Sequence, residues 1–430
     1  MRETFDWEWV EAQVARTIAG WEGSAARPVD GGPQYCVSEQ KKREKAYDEG
    51  LRQVEREAKR KPRSRAQRLE VQERITAAFG KFSAAALDLE DGATQLLTEE
   101  FLPVGTKLAR WARRFDESLS MADIIQANRN AWTACGLQPL VGDRVQLTAS
   151  ILGYSLLYPY TDNFLDRVDV TGAEKRRFSE RFRERLQGET VAAGDGREAA
   201  LWALVELIEG QYARAEFPQV FDCLLAIHRA QEASVAQVKN GVEHAATEVL
   251  RISCAKGGSS VLADACLAHG WLTEAESRFA FEWGVLLQLG DDLQDVHEDL
   301  QRGSVTLFSR AAAMGVPLDE LATQLLSFSE QVGERMEGLE HGSAMLKNLL
   351  RMSWRSLIVG AVADSRAYFS AEFVEEMERS SPFRFEFLRA RRKRLASREG
   401  LYATLFEAFL EAPDDDDLEN ALPMPVLAVV

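Results

Sequence analysis

Two short carboxylate runs, Asp162-Asn163-Phe164-Leu165-Asp166 and Asp291-Asp292-Leu293-Gln294-Asp295, are the residues of this chain whose types and spacing best suit chemistry. On a helix turning about 100° per residue, Asp291, Asp292, Asp295 and Asp299 fall within an arc of roughly 100°, together with Gln288. Asp162, Asn163 and Asp166 repeat the i, i+1, i+4 spacing, so their oxygens also converge on one side. Two carboxylates about 6 Å apart repel by roughly 3 kcal/mol at an effective dielectric near 20, so three or four on one face need a counter-cation. Hard oxygen donors with no His or Cys beside them favour Mg²⁺, which keeps part of its water shell and bridges carboxylates to phosphates. The ligand implied is a phosphate ester. The competing reading of either cluster alone is a solvated acidic helix face. Against it stand the apolar lead-ins, Ile151-Leu-Gly-Tyr-Ser-Leu-Leu-Tyr-Pro-Tyr160 and Trp283-Gly-Val-Leu-Leu287, which place both clusters where core helices turn polar.

The elements that must position these groups read as helices throughout. Helical apolar periodicity runs through 94–115, 144–168, 173–187, 197–213, 217–252, 258–268, 273–301, 317–338, 343–371 and 383–411, with breaks expected at Gly194-Asp195-Gly196, Gly257-Gly258 and Gly315-Val316-Pro317. In the second cluster Trp283, Leu286, Leu289, Leu293, Val296 and Leu300 occupy the helix side away from the aspartates, which predicts an apolar anchor under an acidic face. Strand alternation is scarce, so the fold class expected is all-α, an antiparallel helical bundle. Residues 38–76 are dense in Arg, Lys and Glu and predict exposed helices within an N-terminal helical extension, 1–90; 91–411 would form the main domain and 412–430 a disordered acidic tail.

Composition narrows the function classes. The chain has 430 residues, 46% of them hydrophobic, and 68 acidic against 52 basic residues give a formal net charge of −16, which argues against nucleic acid or an anionic membrane as the main partner. Five cysteines without a C-x-x-C pair suggest neither a disulfide framework nor a thiolate zinc site, and fit a reducing, cytoplasmic setting. No stretch reaches the 18 or so apolar residues of a membrane span, and the N-terminus lacks a signal-peptide core. No histidine follows a Glu by three positions, which removes the Glu-x-x-His mark of a di-iron bundle.

At the level of motifs the sequence resembles the isoprenoid synthase superfamily, all-helical enzymes that bind prenyl diphosphates through Mg²⁺ held by two aspartate-rich motifs. Leu287-Gln-Leu-Gly-Asp-Asp-Leu-Gln-Asp295 is similar to the trans-prenyltransferase pattern Phe-Gln-x-x-Asp-Asp-x-x-Asp, and Asp299-Leu-Gln-Arg-Gly-Ser-Val-Thr-Leu307 to the downstream Asp-Leu-x-x-Gly-Lys-x-Thr-Leu, with Ser304 in place of the usual Lys. Ile252-Ser-Cys-Ala-Lys-Gly-Gly258 resembles the helix whose Lys-Thr pair binds diphosphate, and Gly210-Gln211 matches a Gly-Gln pair of that family. Tyr160-Thr-Asp-Asn-Phe-Leu-Asp-Arg167 is closest to the Tyr-x-Asp-Asn-x-x-Asp-Arg of bacterial large-terpene synthases of the tetraprenyl-beta-curcumene synthase type. The N-terminal Gly-Lys-x-x-Arg-Pro and the Arg-Arg-Gly that hold isopentenyl diphosphate in chain-elongating enzymes are missing from the sequence.

The resemblance covers about residues 95 to 370 and implies a class I terpene synthase. In it Asp162, Asp166, Asp291, Asp292 and Asp295, with Asn163 as a weaker ligand, would hold a Mg²⁺ cluster that grips the diphosphate of an allylic prenyl substrate. Lys256, Arg302, Arg167 and Gln288 would contact the departing diphosphate, and Tyr154, Tyr158, Phe164 and Trp283 would line the prenyl chain. The superfamily also implies a homodimer as an expectation. For Lys256 a snorkelling surface lysine before a helix end is the competing reading. For the whole chain the competing readings are a trans-prenyl diphosphate synthase and a non-catalytic helical scaffold.

Overall fold

The computed structural model describes residues 4–25, 32–60, 64–87, 89–167, 169–238, 245–397 and 422–423. The side chains of Asp162 and Asp166, and all but two residues of the segment expected to be a disordered acidic tail, lie outside the described residues. The described residues are helical with no strand, which is the all-α class expected.

The chain begins with α1 (Trp7–Ser24), α2 (Val37–Ala58), α3 (Arg65–Leu87) and α4 (Asp91–Gln95); a π-helical turn, Leu96–Phe101, then leads into α5 (Leu102–Phe115). The centre of the molecule is built from α6 (Met121–Leu137), α7 (Ala149–Asp166), α8 (Gly172–Leu186), α9 (Gly196–Gln211), α10 (Pro218–Val238), α11 (Ala246–His269) and α12 (Glu274–Gln294). The remainder comprises α13 (Val296–Arg302), α14 (Leu307–Ala313), α15 (Asp319–Glu337), α16 (Ala344–Asp364), α17 (Ala371–Arg379) and α18 (Phe385–Ala396). Side-chain caps fix several starts: Ser120, Thr148, Thr171, Asp195, Thr273, Thr306 and Ser343 each accept a hydrogen bond from the backbone N–H three residues on.

The axis of the bundle is α11, buried along most of its length and packed against α12, α10, α6 and α1, while α12 packs on its other side against α15 and α16. Here the structure corrects one expectation. Gly257-Gly258 is no break; α11 runs straight through it. A Cβ at Gly257 would lie 2.5 Å from the Gly284 carbonyl oxygen, one at Gly284 would clash with the backbone of Gly257, and one at Gly258 would enter the Phe281 ring. The glycines let two helix backbones touch, which is a packing use of a missing Cβ rather than a turn.

A second departure is α6, which the apolar pattern did not single out. Its start is a capping box, with Ser120 and Asp123 exchanging hydrogen bonds, and it buries Ile124, Ala127, Ala131, Ala134, Cys135 and Leu137 at helical spacing. Small residues dominate that face, so its amphipathic signal is weak although its packing is tight. At the N-terminus, α1 joins the main core: Val10, Val14 and Trp21 are buried in it, Trp9 meets Phe281 edge-on, and Trp21 meets Phe328.

The charged stretch 38–76 gives α2 and part of α3, as helices, but α2 is not merely exposed. Glu44 and Glu55 are buried and paired with Arg384, the cap residue just before α18, and with Arg394 within it, and Asp48 meets Arg391 at 2.7 Å. Tyr47 and Phe82 close over Phe383 and Phe387 as a small separate apolar cluster. Buried carboxylates read as surface residues in a sequence because their arginine partners lie 340 positions away for Glu44 and 339 for Glu55.

The α11–α12 contact generates the first prediction. Gly284→Ala should force the helices apart and destabilise the protein by about 1–3 kcal/mol, as overpacking does in a tight core. The midpoint of urea unfolding measures this; a midpoint equal to wild type would contradict the crossing described here.

Candidate active site

A cavity of about 1450 Å³ opens among α6, α7, α11, α12 and α16. It exceeds the roughly 300–1,000 Å³ of sites for drug-sized ligands, and its walls are mostly apolar. Tyr154, Leu157, Tyr158 and Leu165 of α7 line it, as do Trp132, Leu287, Trp283 and Trp354. One end is different. Asp291, Asp292, Asp295 and Asp299 line the cavity together with Gln288, and Lys256 reaches it from α11.

The acidic face arises as its spacing predicts, with one modification. On the far side of α12, Leu286, Leu289 and Leu293 are fully buried, with Val296 beyond them. At Asp295 the helix bends into α13 instead of continuing straight, Asp295 having φ −92° and ψ 8°. Hydrogen bonds from Asp295 N to Asp291 O and from Asp299 N to Asp295 O, both 2.8 Å, carry the ladder across the bend, so Asp299 stays on the cavity side.

The Gly257–Gly284 contact sets the α11 partners of this face. Ser253 Oγ donates to Asp292 Oδ2 at 2.9 Å, and Gln288 Nε2 donates to Asp292 Oδ1 at 2.7 Å. Asp292 is only 6% exposed. Burial pushes its carboxyl up to about 7, despite those two hydrogen bonds and the nearby Lys256 charge. Burial likewise raises Asp299 to about 6, against a hydrogen bond from Thr306 and with the Asp295 charge adding to the rise. Asp291 and Asp295 are also shifted up, burial again being the main cause. All four shifts point the same way because burial penalises each charged carboxylate, with neighbouring carboxylates adding to the rise and Lys256, Arg129 and Arg302 only partly opposing it.

A cation the sequence did not single out stands opposite. Arg129 of α6 lines the cavity, with its Nη2 3.7 Å from Asp291 Oδ1. No motif surrounds it; only the tertiary packing of α6 beside α11 brings it to this end. Beside it, Asn130 donates to Ser155 Oγ at 3.2 Å and to Asp264 Oδ1 at 3.0 Å, placing a second polar group deeper in the cavity wall.

Of the other expected site residues, those whose side chains are described lie elsewhere. Asn163 is exposed and donates to Asp123 Oδ1 at 2.8 Å, and Tyr160, three residues earlier, donates to Asp116 Oδ2 at 2.7 Å. Arg167 is exposed and bound to Asp169, its Nε 2.9 Å from Asp169 Oδ1, because the chain leaves α7 at that residue. Arg302 projects to solvent, paired with Glu298 at 3.1 Å one turn back on α13. Among the described residues none of these three lines the cavity. Phe164 packs under the Arg197 guanidinium, 3.3 Å from the ring centroid, and against Phe178, and does not line the cavity. Gln211 accepts from Ser150 N at 3.0 Å and so helps seat the start of α7.

The described residues contain no group of three or more His, Cys, Asp or Glu side chains close enough to hold a metal ion unaided. Both oxygens of Asp292 are occupied by Ser253 and Gln288, which leaves Asp291, Asp295 and Asp299 as the outward donors. Their chemistry fits a hard divalent cation: oxygen donors only, negative charge in excess, and a cavity in which a phosphate could complete the coordination. No protein-family model matches the chain, and no curated protein matches it either.

Asp292 supplies a pH test in metal-free buffer. Its folded-state value, about 7, lies above the ordinary 3.8, so the folded protein binds more protons than the unfolded chain between those values. The contribution of Asp292 to stability is therefore fully present below about pH 4 and is lost as pH rises through about 7. Asp292→Asn removes the charge and should be the more stable protein at pH 8 by a few kcal/mol, with the gap closing near pH 4. Urea titrations at the two pH values, in the presence of a chelator, check the sign; a variant that is less stable at pH 8 would refute it.

Proposed function

We propose that this chain is a divalent-cation-dependent isoprenoid synthase of the class I terpene synthase kind, which ionises an allylic prenyl diphosphate and releases diphosphate with a terpene product. The observation that carries this reading is the pairing, in one cavity, of a carboxylate-rich end with a long apolar, aromatic-lined interior. A diphosphate monoester of a hydrocarbon chain has the same two-part character.

Mg²⁺ bound by Asp291, Asp295 and Asp299 would neutralise the diphosphate as it leaves. Lys256 and Arg129 flank the same end, and cations fixed where negative charge grows stabilise the departing group more than the bound ester. Asp292, tied to Ser253 and Gln288, holds the α11 and α12 faces at a fixed spacing. In the interior, the faces of Tyr154, Trp283 and Trp354 offer quadrupole stabilisation to a carbocation while excluding the water that would quench it.

Ionisation is favoured over chain elongation by the supply of cations. Elongation needs a second diphosphate held beside the first, and Arg167 and Arg302 are committed to Asp169 and Glu298 on the outside. Lys256 and Arg129 stand at the aspartate end, whereas Arg391 and Arg392, which also line the cavity, are paired with Asp48 and Asp364.

Incubation with Mg²⁺ and a graded panel of allylic prenyl diphosphates, geranyl to heptaprenyl, should release inorganic diphosphate with a diphosphate-free hydrocarbon or alcohol. Asp291→Asn should lower that release at least about a hundredfold, at the upper end of what loss of a metal-orienting group costs. Consumption of isopentenyl diphosphate with formation of a longer diphosphate would replace this reading by the elongating one. Arg129→Gln tests the second cation: a lost charge-assisted contact of about 1.5–3 kcal/mol should weaken binding of inorganic diphosphate, measured calorimetrically with Mg²⁺ present, by about ten- to a hundredfold.

A further inference from the structure

Asp264 is a carboxyl group in the cavity that neither cation binding nor diphosphate departure uses. It belongs to the stripe of α11 that faces the cavity, Ser253, Lys256, Gly257, Ser260, Val261 and Asp264. Eight residues beyond Lys256, at a helical rise of about 1.5 Å each, it sits about 12 Å deeper than the diphosphate end. It is 1% exposed. Among the described residues the hydrogen bond from Asn130 Nδ2 to its Oδ1, 3.0 Å, is the one its carboxyl receives, and no cation pairs with it. Burial holds its titration well above the usual carboxylate range, and with no cation beside it among the described residues the protonated form is the favoured one in the folded protein. With Oδ1 held by the Asn130 amide, Oδ2 is the oxygen left to carry that proton, in a side chain that lines the cavity.

From this placement we infer that Asp264 is a catalytic proton donor to the hydrocarbon chain, starting a ring closure at a double bond a few isoprene units from the diphosphate. The O–H bond of Asp264 breaks and a C–H bond forms at the alkene carbon, leaving a tertiary carbocation on the chain. A neighbouring double bond attacks that cation, forming the new C–C bond, and the proton lost from the resulting ring cation returns to the Asp264 carboxylate, which exchanges it with solvent when the product leaves and water refills the cavity. The step is an isomerisation and consumes no oxidant or reductant. Asn130 is a positioning residue: its N–H stabilises the transient carboxylate, and its second contact, to Ser155, keeps the amide aimed at Asp264. The choice of a prenyl chain as substrate rests on the function proposed above; the acid chemistry rests on Asp264 alone.

The test is turnover of the prenyl diphosphate panel with Mg²⁺ in D₂O, with diphosphate release and carbon-bound deuterium measured separately. Proton delivery from Asp264 places one solvent deuterium on the product skeleton, whereas ionisation followed by simple proton loss places none. Asp264→Asn, which keeps the shape and the hydrogen bond to Asn130 but has no transferable proton, should lower deuterium per diphosphate released at least tenfold, and Asp264→Glu should retain it. Thermal unfolding of both variants controls for folding. A wild-type product free of solvent deuterium, or an Asp264→Asn product labelled like wild type, overturns the inference. Diphosphate release without label removes this inference and leaves the ionisation reading; labelled product with no diphosphate release does the reverse.

Discussion

The backbone contact between Gly257 and Gly284 is the constraint on which the site depends. Two helices that meet without intervening side chains bring Ser253 within hydrogen-bonding reach of Asp292, and carry Lys256 to the same end of the cavity as Asp291. With larger residues at the crossing, the axes would separate toward the 8–10 Å typical of side-chain-mediated packing. Asp292 would then lose the donor that lets it sit buried. The same contact fixes the height of the rest of the α11 stripe, including Asp264.

Electrostatics give this rigidity its meaning. Four carboxylates with upward-shifted titration on one wall are a cost to the folded chain, and it is borne because the backbone of α12, the bend at Asp295 and the caps around Thr306 hold them there. Arg129 and Lys256 relieve the repulsion only in part. A cation bound to the folded protein alone would add its binding free energy to stability, so in this reading metal binding and stability are linked. At the other end of the chain the problem is solved differently: Glu44 and Glu55 are buried with arginine partners from the cap of α18 and from within it, and the charge is balanced locally. The contrast between compensated carboxylates on α2 and uncompensated ones on α12 separates architecture from site.

What the sequence revealed follows from which interactions are local. Asp291, Asp292, Asp295 and Asp299 are legible because their convergence is a property of one helix and its immediate continuation. The all-α class is legible for the same reason, as periodicity within single elements. Gly257-Gly258 signals a turn in isolation, and only the partner helix shows that close approach is its use. Helix α6 escaped notice because Ala127, Ala131 and Ala134 carry little hydrophobic contrast, and Arg129 and Asp264 carry no motif at all. Each becomes part of the cavity through a contact made by another element. Asn163, Arg167 and Arg302 show the converse: their motif context is suggestive, yet the nearest opposite charge or polar group, Asp123, Asp169 or Glu298, takes each of them at short range.

The bend at Asp295 shows how little geometry separates a generic acidic helix from a site. The bend turns α13, and Gly303, in the left-handed region at φ 70°, returns the chain so that Ser304 N donates to Asp299 O at 2.9 Å. Ser304, Val305 and Thr306 then line the cavity beside Asp299. A β-branched or large residue at 303 would be strained in that conformation. The backbone turn sets the position of Asp299, and a hydrogen bond from Thr306 steadies its carboxylate at the cavity wall.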